Sequence, residues 1–191
     1  VQGLATQLPF SDASIDLVTC QALLVNMPDP TAVLEEFGRV SADRVGAVEP
    51  DNGAVTVEST VPEEAALARR ARRAYMAGLE TNSRIGGELE GLFADQNFDA
   101  ITVSRKVHER RIEPPYTPAA IESARRKVRA TRIDEHRETM LASGMAQGEF
   151  ETLRDDWQAM GRTVANQVQA GTYRRRETVP FYVSTGRVTG V

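Results

Sequence analysis

The chain has 191 residues, 41% hydrophobic and 26% charged, with a formal net charge of -4, the balance of a globular domain large enough for a core. A net negative chain has no global attraction for nucleic acid, and no run of eighteen or more apolar residues is present to span a membrane. The N-terminus lacks the basic and then apolar pattern of a signal peptide, and a single cysteine, Cys20, excludes an internal disulfide, so the expected location is cytoplasmic.

In chain order, Pro9, Ser11, Asp12 and Ser14 form a polar turn cluster. Ile15 to Cys20 (IDLVTC) is short, rich in β-branched residues and mostly apolar, and predicts a strand buried on both faces of a parallel sheet. Asp29 reads as a helix N-cap with Pro30 at the first helical position. Val33, Leu34, Phe37 and Val40 then recur at helical spacing, giving an amphipathic helix of about three turns. Val45 to Asp51 (VGAVEPD) is a second apolar run, ended by Pro50. Strand, helix and strand in that order imply a right-handed parallel crossover.

Thr60 to Tyr75 predicts a helix, with Thr60 and Glu63 as a capping box. Arginines 69, 70, 72 and 73 interleave with alanines there and read as a solvated helix face rather than an anion site. Ile85 to Asp99 predicts a second helix packing Leu89, Leu92 and Phe93, and Ala100 to Glu109 a strand. Residues 112–178 then carry helical periodicity, starting at Thr117 and Pro118, broken at Gly144 and Gly148, with Leu153, Trp157, Met160 and Val164 on one stripe. The expectation is a helical lid insertion on the carboxyl side of the sheet, where open α/β folds bind ligands. Its stripe reads equally well as a homodimer interface or a satellite core.

Other chemistry leaves little trace. His108 and His136 are the only histidines, too separated for a zinc site of usual spacing, so no metal is expected. There is no G-x-S-x-G elbow, and RIGGELEG lacks the Lys-Ser/Thr pair of a phosphate loop. Cys20, at the end of a strand, reads as a small core residue rather than a nucleophile.

The ordered set GLATQLPFSDASIDLVTCQALLVNMPDP, LEEFGRV and VEPD resembles the second half of a class I S-adenosylmethionine-dependent methyltransferase of the small-molecule type. VPFYVSTGR (Val179 to Arg187) resembles the closing antiparallel strand more loosely. The resemblance implies an α/β, Rossmann-like sheet represented by its fourth to seventh strands, with the helical insertion before the last. On this reading residues 1–191 are a partial methyltransferase domain, because the Gly-rich cofactor loop of the family would lie before Val1. Leu4 stands where the family pattern usually has an acid.

The implied activity is methyl transfer from S-adenosylmethionine to a small-molecule acceptor, with no nucleic acid or membrane partner. The resemblance places Leu4 and Ala5 along the adenine, and Cys20, Gln21 and Asn26 on the methionine side. Glu49, at the end of the fifth strand, and His108 are the candidate catalytic groups, an ordinary strand-ending turn being the plainer reading of Glu49 and Asp51. The alternative from a different class is a non-catalytic methyltransferase-like module acting through its helical face.

Overall fold

The computed structural model describes residues 1–189. They fall into two compact units, the first from residues 1–54, 80–108 and 179 onward, the second from residues 55–79 and 109–178. No helix among the described residues is long and apolar enough to cross a membrane.

In the first unit, β1 (Ile15–Gln21) leads through a 3-10 turn at Leu24–Asn26 to α1 (Pro30–Val40). Asp29 caps α1 as expected, its carboxylate accepting from the N–H groups of Thr31 and Ala32 at 3.0 and 3.1 Å. The helix passes straight into β2 (Ser41–Pro50), which begins four residues before the expected strand. β2 lies parallel to β1, with Val18 opposite Val45 and Gln21 opposite Val48. On its other side β2 pairs antiparallel with β5 (Arg175–Arg187), Glu49 facing Tyr182 and Pro50 facing Phe181. β4 (Asp99–Ile112) pairs with β5 in turn, giving the order β1, β2, β5, β4. Thr102 meets Thr185 at 2.8 Å and His108 stacks on Phe181, so residue numbers rise along β4 as they fall along β5. This is an α/β sheet of the expected Rossmann-like kind. Val33, Leu34 and Phe37 of α1 pack with Val45, Ala47, Ile85, Leu89 and Phe93 to form its core.

β1 departs from expectation. It was expected to be covered on both faces, yet Asp16, Leu17, Thr19 and Gln21 are exposed, Leu17 by 55%. Among the described residues the strand is bonded to β2, and its faces are only partly covered, which is where it differs from the expectation. The region Ile85 to Asp99 gives a 3-10 turn at Ile85–Glu88 and a short helix, α3 (Leu89–Asp95), rather than one helix.

A surface cluster ties the N-terminal segment to α1. Glu36 accepts from the Leu8 N–H at 2.6 Å and pairs with Arg39 at 2.7 Å, while Arg39 also donates to the carbonyls of Phe10 and Leu8 and to Asp12. The Arg39 hydrogen bond holds the Glu36 carboxyl down at about 2, against an ordinary 4.5. A carboxyl lowered on folding stabilises fully above its unfolded pKa, and that contribution is lost as the pH falls through the folded value. Acid titration between pH 4.5 and 2 is therefore expected to weaken the fold, and Glu36→Gln to flatten that part of the stability profile, read from urea denaturation at each pH.

The second unit contains β3 (Thr56–Ser59), α2 (Pro62–Ala77), and α4 (Pro118–Val128), α5 (Thr131–Glu135), α6 (Arg137–Ala142) and α7 (Gln147–Gln169). β3 was not anticipated; it pairs antiparallel with the first residues of β5, Thr56 opposite Thr178 and Ser59 opposite Arg175. Residues 55–79 thus fold with the helices expected for 112–178. The predicted start of α4 holds, the Thr117 hydroxyl accepting from the Ala120 N–H at 3.2 Å. The predicted capping box of α2 does not form. Val61 is the N-cap, Thr60 bonds Gln167 instead, and Ser59 accepts from the Val61 N–H while donating to Glu64. Ala68 and Ala71 of α2 pack against Phe150, Leu153, Trp157, Met160 and Val164 of α7, the stripe expected from the sequence, together with Met140 and Tyr173. Gly161 lets α7 approach α4 closely, since a Cβ there would lie 2.5 Å from the Lys127 carbonyl carbon.

Candidate functional site

The carboxyl ends of β1 and β2 meet at one edge of the first unit's sheet. Gln21 ends β1, and Ala22 follows in the left-handed region (φ 49) with its N–H donating to the Val48 carbonyl at 2.9 Å. That turn breaks the extended path and starts the Leu24–Asn26 turn. A non-glycine residue held there is a local cost that surrounding bonds must offset.

Glu49 supplies those bonds. It is fully buried, and its carboxylate accepts from the N–H groups of Leu23 and Leu24 at 2.9 Å each and of Val25 at 3.2 Å. Three donors that a 3-10 turn would leave unpaired thus end on one buried acid. Both oxygens are engaged by the loop, so the geometry gives Glu49 the role of positioning the loop. Asp51 does the same on the other side of Pro50, accepting from Gly53 and Ala54 at 2.9 and 3.2 Å. Gly86 lies against this strand end, where a Cβ would come within 2.6 Å of the Glu49 carbonyl oxygen.

Cys20 points toward the same acid, its thiol 3.8 Å from Glu49 Oε1. Burial, and then the charge of Glu49, push its pKa up to about 12. The thiol is therefore not activated for attack. At pH 8 native Cys20 is expected to react with iodoacetamide about a thousandfold more slowly than an ordinary thiol; alkylation at the rate of the urea-unfolded chain would contradict this environment.

The remaining candidates lie around this edge. Gln21 and Asn26 are exposed, and the Asn26 side chain donates to the Ala22 carbonyl at 2.8 Å, bracing the turn. Leu4 is 68% exposed in a tight turn bridged to Gln7, and Ala5 packs with Leu8, Leu23 and Met27 against the core. His108 is exposed on β4 and stacks edge-on against Phe181 at 6.4 Å. Phe181 of β5 faces Pro50 of β2, so His108 sits at the same end of the sheet as Glu49, two strand spacings or about 10 Å from β2. The structure thus brings Cys20, Gln21, Asn26, Glu49 and His108 to one edge, with Leu4 and Ala5 on the segment before β1. Among the described residues no group of three or more His, Cys, Asp or Glu is placed to hold a metal ion.

Sequence reasoning missed the holding role of Glu49, the left-handed Ala22 and the close approach of Gly86. A signal for the first was present, since an acid inside the apolar run VGAVEP must find buried donors.

Residues 1–44 match the family described as Methyltransferase domain. Among solved structures, the chain is similar to a protein of Bacillus halodurans C-125 classed as a methyltransferase, at 12% identity and TM-score 0.47, covering 100% of this chain and 77% of that one. It is also similar to the YcgJ protein of Bacillus subtilis, at 14% identity and TM-score 0.44, covering 100% and 71%. A third is phosphoethanolamine N-methyltransferase 2 of Haemonchus contortus, in complex with phosphomonomethylethanolamine and S-adenosylhomocysteine, at 16% identity and TM-score 0.36, covering 92% of this chain and 35% of that one. Among curated proteins nothing matches the chain. Identities this low leave activity to be read from the chain's own residues.

Proposed function

Because residues 1–44 match the family described as Methyltransferase domain, we propose that the protein transfers a methyl group from S-adenosylmethionine to a small-molecule acceptor, using the carboxyl edge of β1 and β2. The observation that supports this most is the loop after β1. Its backbone is fixed by Glu49, leaving the Gln21 amide exposed at the strand end.

The residues present fit one side of this cofactor. Leu4 and Ala5 offer an apolar edge suited to the adenine, and Gln21 offers both a donor and an acceptor to the methionine portion. The carboxylates of the adjoining turn are already taken, Glu49 by Leu23, Leu24 and Val25 and Asp51 by Gly53 and Ala54. Charged and ribose contacts are therefore not supplied by that turn. When bound, the cofactor brings an already activated methyl group, so the chain's task is to align an acceptor and exclude water. Glu49 acts through the loop it holds, and Phe181 orients the His108 ring, which would accept a proton from the acceptor as it is methylated.

A second reading, a non-catalytic module, is favoured by Leu4, whose side chain has no acceptor for the adenine amino group. Titration calorimetry with S-adenosylmethionine separates the two. Under the enzymatic reading Gln21→Ala weakens binding about tenfold, the size of one charge-assisted hydrogen bond, while Gln147→Ala in the second unit leaves it unchanged. Equal effects at both positions would remove Gln21 from the site and favour the module.

A further inference from the structure

The second unit has a cleft of its own. The end of β3, the end of β4 and the start of β5 enclose an open cavity of about 360 Å³, within the size range of small-ligand pockets. Arg111, Arg174, Arg175 and Arg176 line it, facing Glu58 and Glu113. The charge does not balance locally. With the ion-paired neighbours Arg72, Arg110 and Lys127 on one side and Glu64, Glu109 and Glu177 on the other, seven cations share five carboxylates, in a chain whose net charge is -4.

The floor and the rim differ. At the floor, Arg175 is only 14% exposed and pairs with Glu177 at 2.6 Å. Its Nε lies 3.1 Å from Glu64, inside ion-pair range, but the angle is not that of a hydrogen bond, so this buried donor has no acceptor among the described residues. At the rim, Arg174 pairs with Glu113 at 3.0 Å, Arg176 with Glu58 at 2.7 Å and Arg111 with Glu109 at 2.6 Å, all between side chains at least one-third exposed. Exposed pairs of this kind contribute little and exchange readily with other anions. A phosphate group carries more charge than a carboxylate and accepts two parallel bonds from a guanidinium fork.

We propose that this cleft binds a small phosphate-bearing anion of about pyrophosphate size, with Arg174 and Arg176 as the displaceable clamps and Arg175 as the fixed floor. Glu58 and Glu113 occupy the clamps in the ligand's absence and are its competitors.

Inorganic pyrophosphate titrated into the full chain at low, fixed ionic strength is the test. Binding is expected at one site and to weaken at least about tenfold in the double variant R174A/R176A, two or more charge-assisted contacts being lost. Both side chains are exposed, so unchanged circular dichroism and melting confirm that the fold is kept. E58Q/E113Q is expected to tighten binding, because it removes the competing charges. Citrate, a polyanion without phosphate, is expected to bind more weakly than pyrophosphate. No binding of pyrophosphate, wild-type affinity in R174A/R176A, or equal binding of citrate would each overturn the proposal.

Discussion

Glu64→Ala is expected to cost about 3–5 kcal/mol of stability, measured by urea denaturation at neutral pH. Glu64 is 1% exposed at the start of α2. It pairs with Lys127 at 2.6 Å, accepts from the Tyr173 hydroxyl at 2.8 and 3.0 Å and from the Ser59 hydroxyl at 2.6 Å, and stands 3.1 Å from Arg175. Burial alone would raise its pKa, but Lys127, Ser59 and Arg175 outweigh that and hold it below the ordinary carboxylate value. Alanine at this position strands Lys127, itself mostly buried, and leaves Tyr173 and Ser59 without an acceptor. Glu64→Gln keeps hydrogen bonds but not the charge and should fall between alanine and wild type. A loss under about 1 kcal/mol in Glu64→Ala would mean that the network is solvated and contributes no more than a surface pair.

Glu49→Gln is the second large expected effect, about 2–4 kcal/mol. The amide preserves size and one acceptor, yet it turns an NH₂ toward at least one of the three N–H groups the carboxylate now serves. Donor facing donor in a buried site is costly. The loss should be local before it is global. Amide hydrogen exchange at Leu23, Leu24 and Val25 is expected to rise before exchange in α1 does, because the left-handed Ala22 turn loses what holds it. Unchanged protection at those three amides would show that the loop keeps its shape without the charge.

The local chemistry of the sequence carried much of this fold. Asp29 and Pro30 specify the start of α1, Thr117 and Pro118 the start of α4, and the Leu153, Trp157, Met160 and Val164 stripe the buried face of α7, because each signal acts within a few residues. What was not legible depends on distant partners. Four residues, Thr56 to Ser59, carry too little periodicity to declare a strand, and β3 exists because β5 offers it an edge. The capping box at Thr60 lost to tertiary bonds, Gln167 taking the threonine hydroxyl and Ser59 the helix N-terminus. IDLVTC read as buried on both faces because an apolar run alone does not say what packs over a strand.

At the candidate site, the sequence indicated the residue types and the sheet edge but not their division of labour. Glu49 reads in sequence as an acid near a ligand edge, and only burial and three backbone donors identify it as the loop's anchor. His108 lies 59 residues from Glu49 along the chain, and their shared edge follows from β5 running between their strands.

The place of β5 also bears on how the chain is made. It follows β2, β3 and β4 along the chain, yet it pairs with all three. During translation β1, α1 and β2 can assemble as soon as they emerge, since their contacts are local. β3 and β4 cannot, for the strand that receives them is still unmade. A ribosome adding about 5–20 residues per second leaves those two edges, together with one side of β2, open for several seconds on the nascent chain. Termination between Ile112 and Arg175 would release a polypeptide with three strands awaiting β5 and no means of closing them, a natural substrate for chaperone and protease.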